Sequence, residues 1–289
     1  MTSPAGRSAE ANRDGSSPLI LAHRGFAPEG AENTLAAFRA AWELGCRWLE
    51  TDVNTTRDGM VMVFHDTTVD RMTEGSGAIG EHTHAELSRL RVAGADAPPT
   101  FAELLAELPE ARFNVDLKDE ASVEGLPELL ERAGAVDRVR IASFSEARRR
   151  RSLERLRARG LPASTSSAGA LGCGVFLVCQ YAAPGLWPAV RRITRRRIPG
   201  FDVVQLPLLL GWAVPRIIRV PVIGARLAGA RIVGPTLIRR AHAAGIQVHV
   251  WTVDDPAEMR ALIVAGVDGI VTNRADLGLR EAARSRDRV

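Results

Sequence analysis

Lysine is nearly missing from this chain. Of its 38 basic residues only Lys118 is a lysine, and the rest are arginines. Cysteine is also sparse. Cys46, Cys173 and Cys179 lie in apolar or helical context without metal-like spacing, which argues against a disulfide framework or a thiolate zinc site. Reduced thiols in a cytoplasmic setting are the expectation. Long uninterrupted apolar runs are absent too, since Pro184 and Pro188 break one candidate stretch and Pro207 and Pro215 break another, so no transmembrane helix is expected. Residues 1–16 lack an apolar segment of the kind a signal peptide needs and read as a disordered tail. With 289 residues the remainder, 17–289, is long enough for one α/β barrel with a large core.

What the chain does have is concentrated in residues 18–66. PLILA is a continuous apolar run that delivers His23 and Arg24 just past its end, the pattern of a strand buried on both faces. Asn33 or Thr34 can cap the helix LAAFRAAWELG, which stops at Gly45. WLETDVN follows as a second strand, and Glu50 and Asp52, two residues apart, project from the same face. Two carboxylates that close need a positive partner to stay ionised, and a divalent cation with oxygen ligands meets that need. After the Asp58-Gly59 turn, residues 60–64 read as a further strand carrying His65 and Asp66 at its end. Further on, NVDLK places Asp116 and Lys118 on one face. A solitary lysine kept beside a carboxylate suggests a role that a guanidinium fork cannot fill.

Strand-like and helical patterns alternate through the rest of the chain. Strands are expected near 18–23, 47–53, 112–117, 139–143, 161–166, 202–206, 246–252 and 269–272, with helices at 123–133, 146–159, 235–244 and 256–265. Eight such units predict a TIM (β/α)8 barrel, whose chemistry sits at the C-terminal strand ends. A doubly wound open sheet is the alternative, but AHRGFAPEG is not the glycine-rich phosphate loop that it usually carries. Residues 66–100 interrupt the alternation after the second strand and read as a small insertion lobe. Within it Thr83 and Glu86 form a capping-box pattern, which explains E-H-T-H at residues 81–84 better than metal ligation by His82 and His84.

The blocks AHRGFAPEGAENTLAAF, LETDVNTTRDGMVMVFHD and NVDLK, with fainter echoes at VHVWTVDD and DGIVTNRAD, resemble the glycerophosphodiester phosphodiesterase family. The resemblance implies a TIM barrel that hydrolyses glycerophosphodiesters to sn-glycerol-3-phosphate and an alcohol with one divalent cation, Mg²⁺ or Ca²⁺. It assigns Glu50, Asp52 and Asp116 as metal ligands, His23 and His65 as the general acid/base pair, and Arg24 and Lys118 as phosphate-binding cations. Enzymes of the superfamily pass through a cyclic phosphate, with an adjacent hydroxyl as nucleophile. The family usually carries glutamate at the position of Asp116, so a shorter arm here could alter the choice of metal. The same catalytic set would serve a lysophospholipase D-like enzyme at a membrane surface, whereas a non-catalytic phosphate- or lipid-binding barrel should have lost one of these groups. None is missing.

Three weaker candidates remain. Glu32 could orient the site, Trp251 at the end of the seventh strand could wall the substrate, and His249 reads as a packed barrel residue. Charge is distributed unevenly: residues 155–253 contain 14 arginines against one acid, Asp202, while the rest of the chain carries 24 basic against 33 acidic residues. In 167–232 these arginines alternate with apolar runs, Trp187 and Trp212. That mixture suits peripheral contact with an anionic membrane better than a nucleic-acid backbone.

Overall fold

A computed structural model describes residues 17–162, 165–209 and 230–286. The tail 1–16 and the apolar stretch 210–229 of the basic insertion, Trp212 included, lie outside the described residues. Strands β1 (Leu19–His23), β2 (Trp48–Thr55), β4 (Arg112–Leu117), β5 (Val139–Ala142), β6 (Val203–Pro207), β7 (Gln247–Trp251) and β8 (Gly269–Thr272) run parallel in the order β5-β4-β2-β1-β8-β7-β6. Ser166 bridges to Ile141 of β5 and Ser167 to Val203 of β6, both parallel, so this pair supplies the fifth of eight positions and closes the ring. The fold is the expected TIM barrel. Among the described residues its fifth strand comprises Ser166 and Ser167; residues 163 and 164 lie outside the description.

Helices cover the outside. Helix α1 (Leu35–Glu43) starts at Thr34, whose side chain accepts from the Ala37 N–H. Asn33 instead accepts from the Thr51 hydroxyl at 2.9 Å and has φ 58°. Between β2 and β4, β3 (Val61–Val63) pairs antiparallel with β2. The short helix α2 (His84–Leu87) begins at Thr83 with a full capping box to Glu86. Met62, Phe64, Val69, Ile79, Leu87 and Val92 form a separate apolar cluster here, so the 66–100 segment has a small core of its own. Helix α3 (Phe101–Glu107) leads into β4. The circuit continues with α4 (Ser122–Ala133), α5 (Glu146–Ala158), α6 (Ala170–Ala182), α7 (Trp187–Thr194), α8 (Pro235–Ala243), α9 (Pro256–Ala265) and α10 (Ala275–Arg286).

The strongly basic α5 conceals a buried pair. Arg149 is fully buried, and its guanidinium binds Glu146, the Ser166 hydroxyl and the carbonyls of Pro199 and Gly200. Glu146 in turn accepts from the Gly172 N–H of α6 at 3.2 Å. One ion pair thereby ties α5, the fifth strand position, α6 and the approach to β6. Arg151, Arg155 and Arg159 face the other way and pair with Glu120, Glu124, Glu128 and Glu131.

Candidate active site

Strand register builds the site. Cα pairing sets His23 beside Glu50, Glu50 beside Asn114, and Asp52 beside Asp116. Inward-facing residues of β1, β2 and β4 therefore converge at the C-terminal end of the barrel, where catalytic groups of this fold gather. The chain leaves β1 through Arg24 (φ 55°) and Gly25 (φ 85°). A Cβ at Gly25 would stand 2.7 Å from the Ala37 carbonyl carbon, so only glycine lets this turn pack on α1. His65 returns from the β3 hairpin, where the Phe64 N–H donates to the Asp52 carbonyl at 3.0 Å. His23, Arg24, Glu50, Asp52, His65, Asp116, Lys118 and Trp251 line one cavity of about 490 Å³, and the other two candidates, Glu32 and His249, do not.

Three carboxylates and two cations make its polar floor. The Lys118 ammonium donates to Asp116 Oδ2 at 2.6 Å and lies 2.8 Å from Asp52 Oδ1. Arg24 Nη1 donates to Glu32 at 2.9 Å, and Arg24 Nε lies 3.1 Å from Asp52 Oδ2. Burial raises the Glu50 carboxyl well above the usual range, and the neighbouring Asp52 adds to this. Asp116 is raised as well, chiefly by burial. Burial acts the same way on Asp52, but Lys118 and Arg24 outweigh it and hold that group below its ordinary value. For Lys118, burial would favour the neutral amine. Asp52 and Asp116 overcome it and keep the ammonium charged.

The donor set suits a hard divalent cation: oxygen ligands only, with Asp116 Oδ1 buried and lacking a hydrogen-bond partner and Asp52 Oδ2 held only by its ion pair with Arg24. Among the described residues no three His, Cys, Asp or Glu side chains are already closed around an ion-sized point, and Lys118 stands between Asp52 and Asp116. The cation would take over part of the neutralisation that Lys118 now supplies.

The two histidines have different partners. His23 Nδ1 lies 2.7 Å from Asn273 Oδ1. Asn273 Nδ2 and its backbone N–H both donate to Asp254, at 2.8 Å each, and the Thr272 hydroxyl donates to the same carboxylate. Because the amide nitrogen is committed to Asp254, the amide oxygen is the acceptor and the His23 proton sits on Nδ1. Nε2 is left as a lone pair, 3.9 Å from Glu50 Oε2. Burial and then the Arg24 charge lower the pKa of this imidazole, so it is neutral near pH 7. His65 Nδ1 instead bonds the Asp66 carboxylate at 2.6 Å. Asp66 pairs with Arg71, which reaches Glu32 at 2.8 Å and so connects back to Arg24.

Trp251 packs edge-on to Phe144, with ring centroids 5.8 Å apart, and Lys118 Nζ lies 5.7 Å from the Phe144 ring centre. Sequence reasoning missed Phe144, Asn273 and Asp254. Phe144 lies two residues beyond β5, as His23 and Lys118 lie at or just past their strands, and that position was the available signal. His249 is fully buried in the barrel, and His242 pairs on the surface with Asp268 at 2.8 Å.

A TIM barrel hosts many chemistries at its strand ends, and comparison with known proteins gives the class of this one. The model of the glycerophosphoryl diester phosphodiesterase family matches residues 23–172 and 204–277, spans that contain all eight site residues. The probable glycerophosphodiester phosphodiesterase 2 of Mycobacterium tuberculosis is 36% identical over 260 residues, covering 90% of this chain and 88% of that one. The glycerophosphodiester phosphodiesterase of Caldanaerobacter subterraneus subsp. tengcongensis is 28% identical over 270 residues, covering 88% and 93%. Among solved structures, the Agrobacterium tumefaciens glycerophosphodiester phosphodiesterase superposes with a TM-score of 0.65 at 25% identity, covering 93% of this chain and 99% of that one. An Oleispira antarctica phosphodiesterase in complex with the product sn-glycerol-3-phosphate superposes with a TM-score of 0.66 at 19% identity, covering 92% and 97%. The protein is a phosphoric diester hydrolase. It belongs to the glycerophosphodiester phosphodiesterase family.

Proposed function

We propose that the chain hydrolyses glycerophosphodiesters to sn-glycerol-3-phosphate and an alcohol with one divalent cation, Mg²⁺ or Ca²⁺, and two histidines of opposite role. The observation that carries this reading is the convergence of Glu50, Asp52 and Asp116 with His23, His65 and Lys118 in one cavity. A cation held by the three carboxylates would neutralise charge on a phosphate oxygen. Arg24 and Lys118 supply the remaining positive charge, both already anchored by site carboxylates. Asn273 presents the His23 lone pair, so His23 is the base that takes the proton of the attacking hydroxyl. His65 has the charged Asp66 to balance a second ring proton, so it is the acid that protonates the leaving alcohol. Trp251 and Phe144 offer an apolar wall to the substrate.

An activated leaving group separates the two roles. A p-nitrophenyl phosphodiester of glycerol leaves without protonation, so His65→Ala should recover most of its lost kcat on it, whereas His23→Ala should remain slow on every substrate. Recovery by His23→Ala instead would reverse the assignment.

Peripheral contact with an anionic membrane is the second part of the proposal. Arg191, Arg192, Arg195, Arg196 and Arg197 are exposed and form no ion pair among the described residues, and Ile193 between them is 78% exposed. No described helix is long and apolar enough to cross a membrane. Each well-placed arginine should add about 1 kcal/mol to binding of an anionic surface, an attraction that fades with salt. Co-sedimentation with phosphatidylglycerol vesicles, set against phosphatidylcholine, tests it. Equal binding at low salt, or unchanged binding after Arg195, Arg196 and Arg197 become Gln, removes the membrane contact and leaves the hydrolase assignment standing.

A further inference from the structure

Arg71 of the 66–100 segment is 51% exposed, yet each nitrogen of its guanidinium has a partner. Nε donates to Asp66 Oδ2 at 2.5 Å, Nη2 to Glu32 Oε1 at 2.8 Å, and Nη1 lies 2.9 Å from Met72 Sδ. Nε and Nη2 share the edge of the fork that ordinarily grips a single carboxylate with two parallel bonds. Here that edge is divided between two carboxylates, one just past β3 and the other in the turn between β1 and α1. The backbone around Arg71 is fixed as well: the Thr73 N–H and hydroxyl both donate to the Val69 carbonyl, at 3.0 Å and 2.9 Å, and the Ala93 N–H donates to the Met72 carbonyl at 2.7 Å. Val69 itself is fully buried in the segment's own core. Ion pairs this exposed add little to stability, and ordering a long side chain costs rotamer freedom, so stability does not account for the arrangement.

What Arg71 holds in place does account for it. Asp66 accepts from His65 Nδ1 on Oδ1 at 2.6 Å while Oδ2 takes Arg71, so the carboxylate is gripped at both oxygens and stays turned to the ring. Burial works against its ionisation, but the bond from Arg71 and then that from His65 outweigh it and hold Asp66 below its ordinary range. An ionised Asp66 only accepts, so it takes the Nδ1 proton and leaves Nε2 to carry the proton that can be given away. Glu32, which also binds Arg24 at 2.9 Å, anchors the far side of the fork. We infer that Arg71 is a positioning residue for departure of the alcohol: by fixing Asp66 it sets the orientation of His65, and through it the 66–100 segment contributes to catalysis. The inference rests on the reading of His65 as the acid and deepens it. In that step the bond from phosphorus to the leaving oxygen breaks with its electron pair on oxygen, and the Nε2 proton moves to that oxygen. The ring is left neutral, with its remaining proton on Nδ1 and still donated to Asp66.

The test uses the full chain and sets glycerophosphocholine, whose choline oxygen needs a proton to leave, against the p-nitrophenyl phosphodiester of glycerol, whose leaving group does not. Arg71→Met should lower kcat on glycerophosphocholine about ten- to a hundredfold, a share of the roughly 10²–10⁴-fold that a positioned acid supplies, and stay within about threefold of wild type on the activated substrate. Asp66→Asn, which cuts the same chain one link nearer the ring, should show the same selectivity. Because Arg71 acts through Asp66, the double variant should be no slower on glycerophosphocholine than the slower single variant, whereas independent effects would multiply. Wild-type kinetics in Arg71→Met, equal losses on the two substrates in either single variant, or multiplied losses in the double variant would each overturn the inference. Failure of His65→Ala to recover on the activated substrate is a separate result: it would remove His65 as the acid, and with it the underlying reading.

Discussion

Replacing Lys118 by methionine removes the ammonium between Asp52 and Asp116 while keeping most of the stem volume. In wild type that group sits 2.8 Å from one carboxylate and 2.6 Å from the other, with 17% of the side chain exposed. Deleting one partner of such a buried cluster leaves two carboxylates facing each other across paired strands, at a cost of about 3–5 kcal/mol. For a domain of this size each kcal/mol corresponds to about 2–4 °C, so Tm should fall by roughly 6–20 °C in EDTA at pH 8. The loss should shrink toward pH 5. Burial already raises Asp116, and without the ammonium its folded pKa rises further above the unfolded value, so the penalty is complete above the folded pKa, shrinks as pH falls below it and is gone only below the unfolded value of about 4. A divalent cation occupying the same space should restore the balance, since ligand at 100 times its Kd adds about 2.7 kcal/mol. Scanning calorimetry with and without Mg²⁺ or Ca²⁺ measures all three effects. An equal Tm loss in EDTA and in saturating cation would refute the placement of the cation among these carboxylates, and a loss under about 1 kcal/mol would refute the electrostatic argument itself.

The other predictions concern groups around the site. Asn273→Ala frees His23 Nδ1 and should lower kcat about tenfold or more with little change in KM, the range expected for impaired proton transfer. The acidic limb of its pH profile should move down, because the bond to Asn273 favours the protonated ring; an unchanged profile and rate would show that Asn273 positions nothing. Arg149→Met strands the buried Glu146 and should cost about 3–5 kcal/mol in urea denaturation, part of which the double variant with Glu146→Leu should recover. His249 is buried with a pKa well below the ordinary histidine value, owing to burial and then Arg140. It therefore takes up a proton only on unfolding: its contribution to stability is complete above about pH 6.5 and declines by up to roughly 1.4 kcal/mol per pH unit below that. His249→Leu should reduce that slope between pH 6.5 and 5.5, and an unaltered slope would assign the acid sensitivity elsewhere.

What could be read from the sequence followed from local rules. Apolar runs ending in His23 and Asp52, the two-residue spacing of Glu50 with Asp52 and of Asp116 with Lys118, and the capping box at Thr83 each need only the geometry of a strand or a helix end. Asp66 stands next to His65 in the sequence, but the partners that tune His23 were hidden because they depend on closure of the ring. Asn273 reaches His23 only because β8 pairs with β1, and Asp254 reaches Asn273 from the end of β7. Glu146–Arg149 was invisible for another reason. In EARRRRSLERLRA every arginine looks solvent-facing, and only the fifth strand position and the carbonyls of Pro199 and Gly200 single out one of them. The fifth strand, expected near 161–166, is seen among the described residues at Ser166 and Ser167, at the end of that span.

Cation-dependent hydrolysis of a glycerophosphodiester at the Glu50–Asp52–Asp116 cluster can be followed on glycerophosphocholine by phosphorus NMR with the purified chain. Conversion to sn-glycerol-3-phosphate is expected in Mg²⁺ or Ca²⁺, with arrest on addition of EDTA, resumption when cation is restored, and no turnover by Asp52→Asn under any of these conditions. Steady conversion in EDTA, or undiminished turnover by Asp52→Asn, would contradict it.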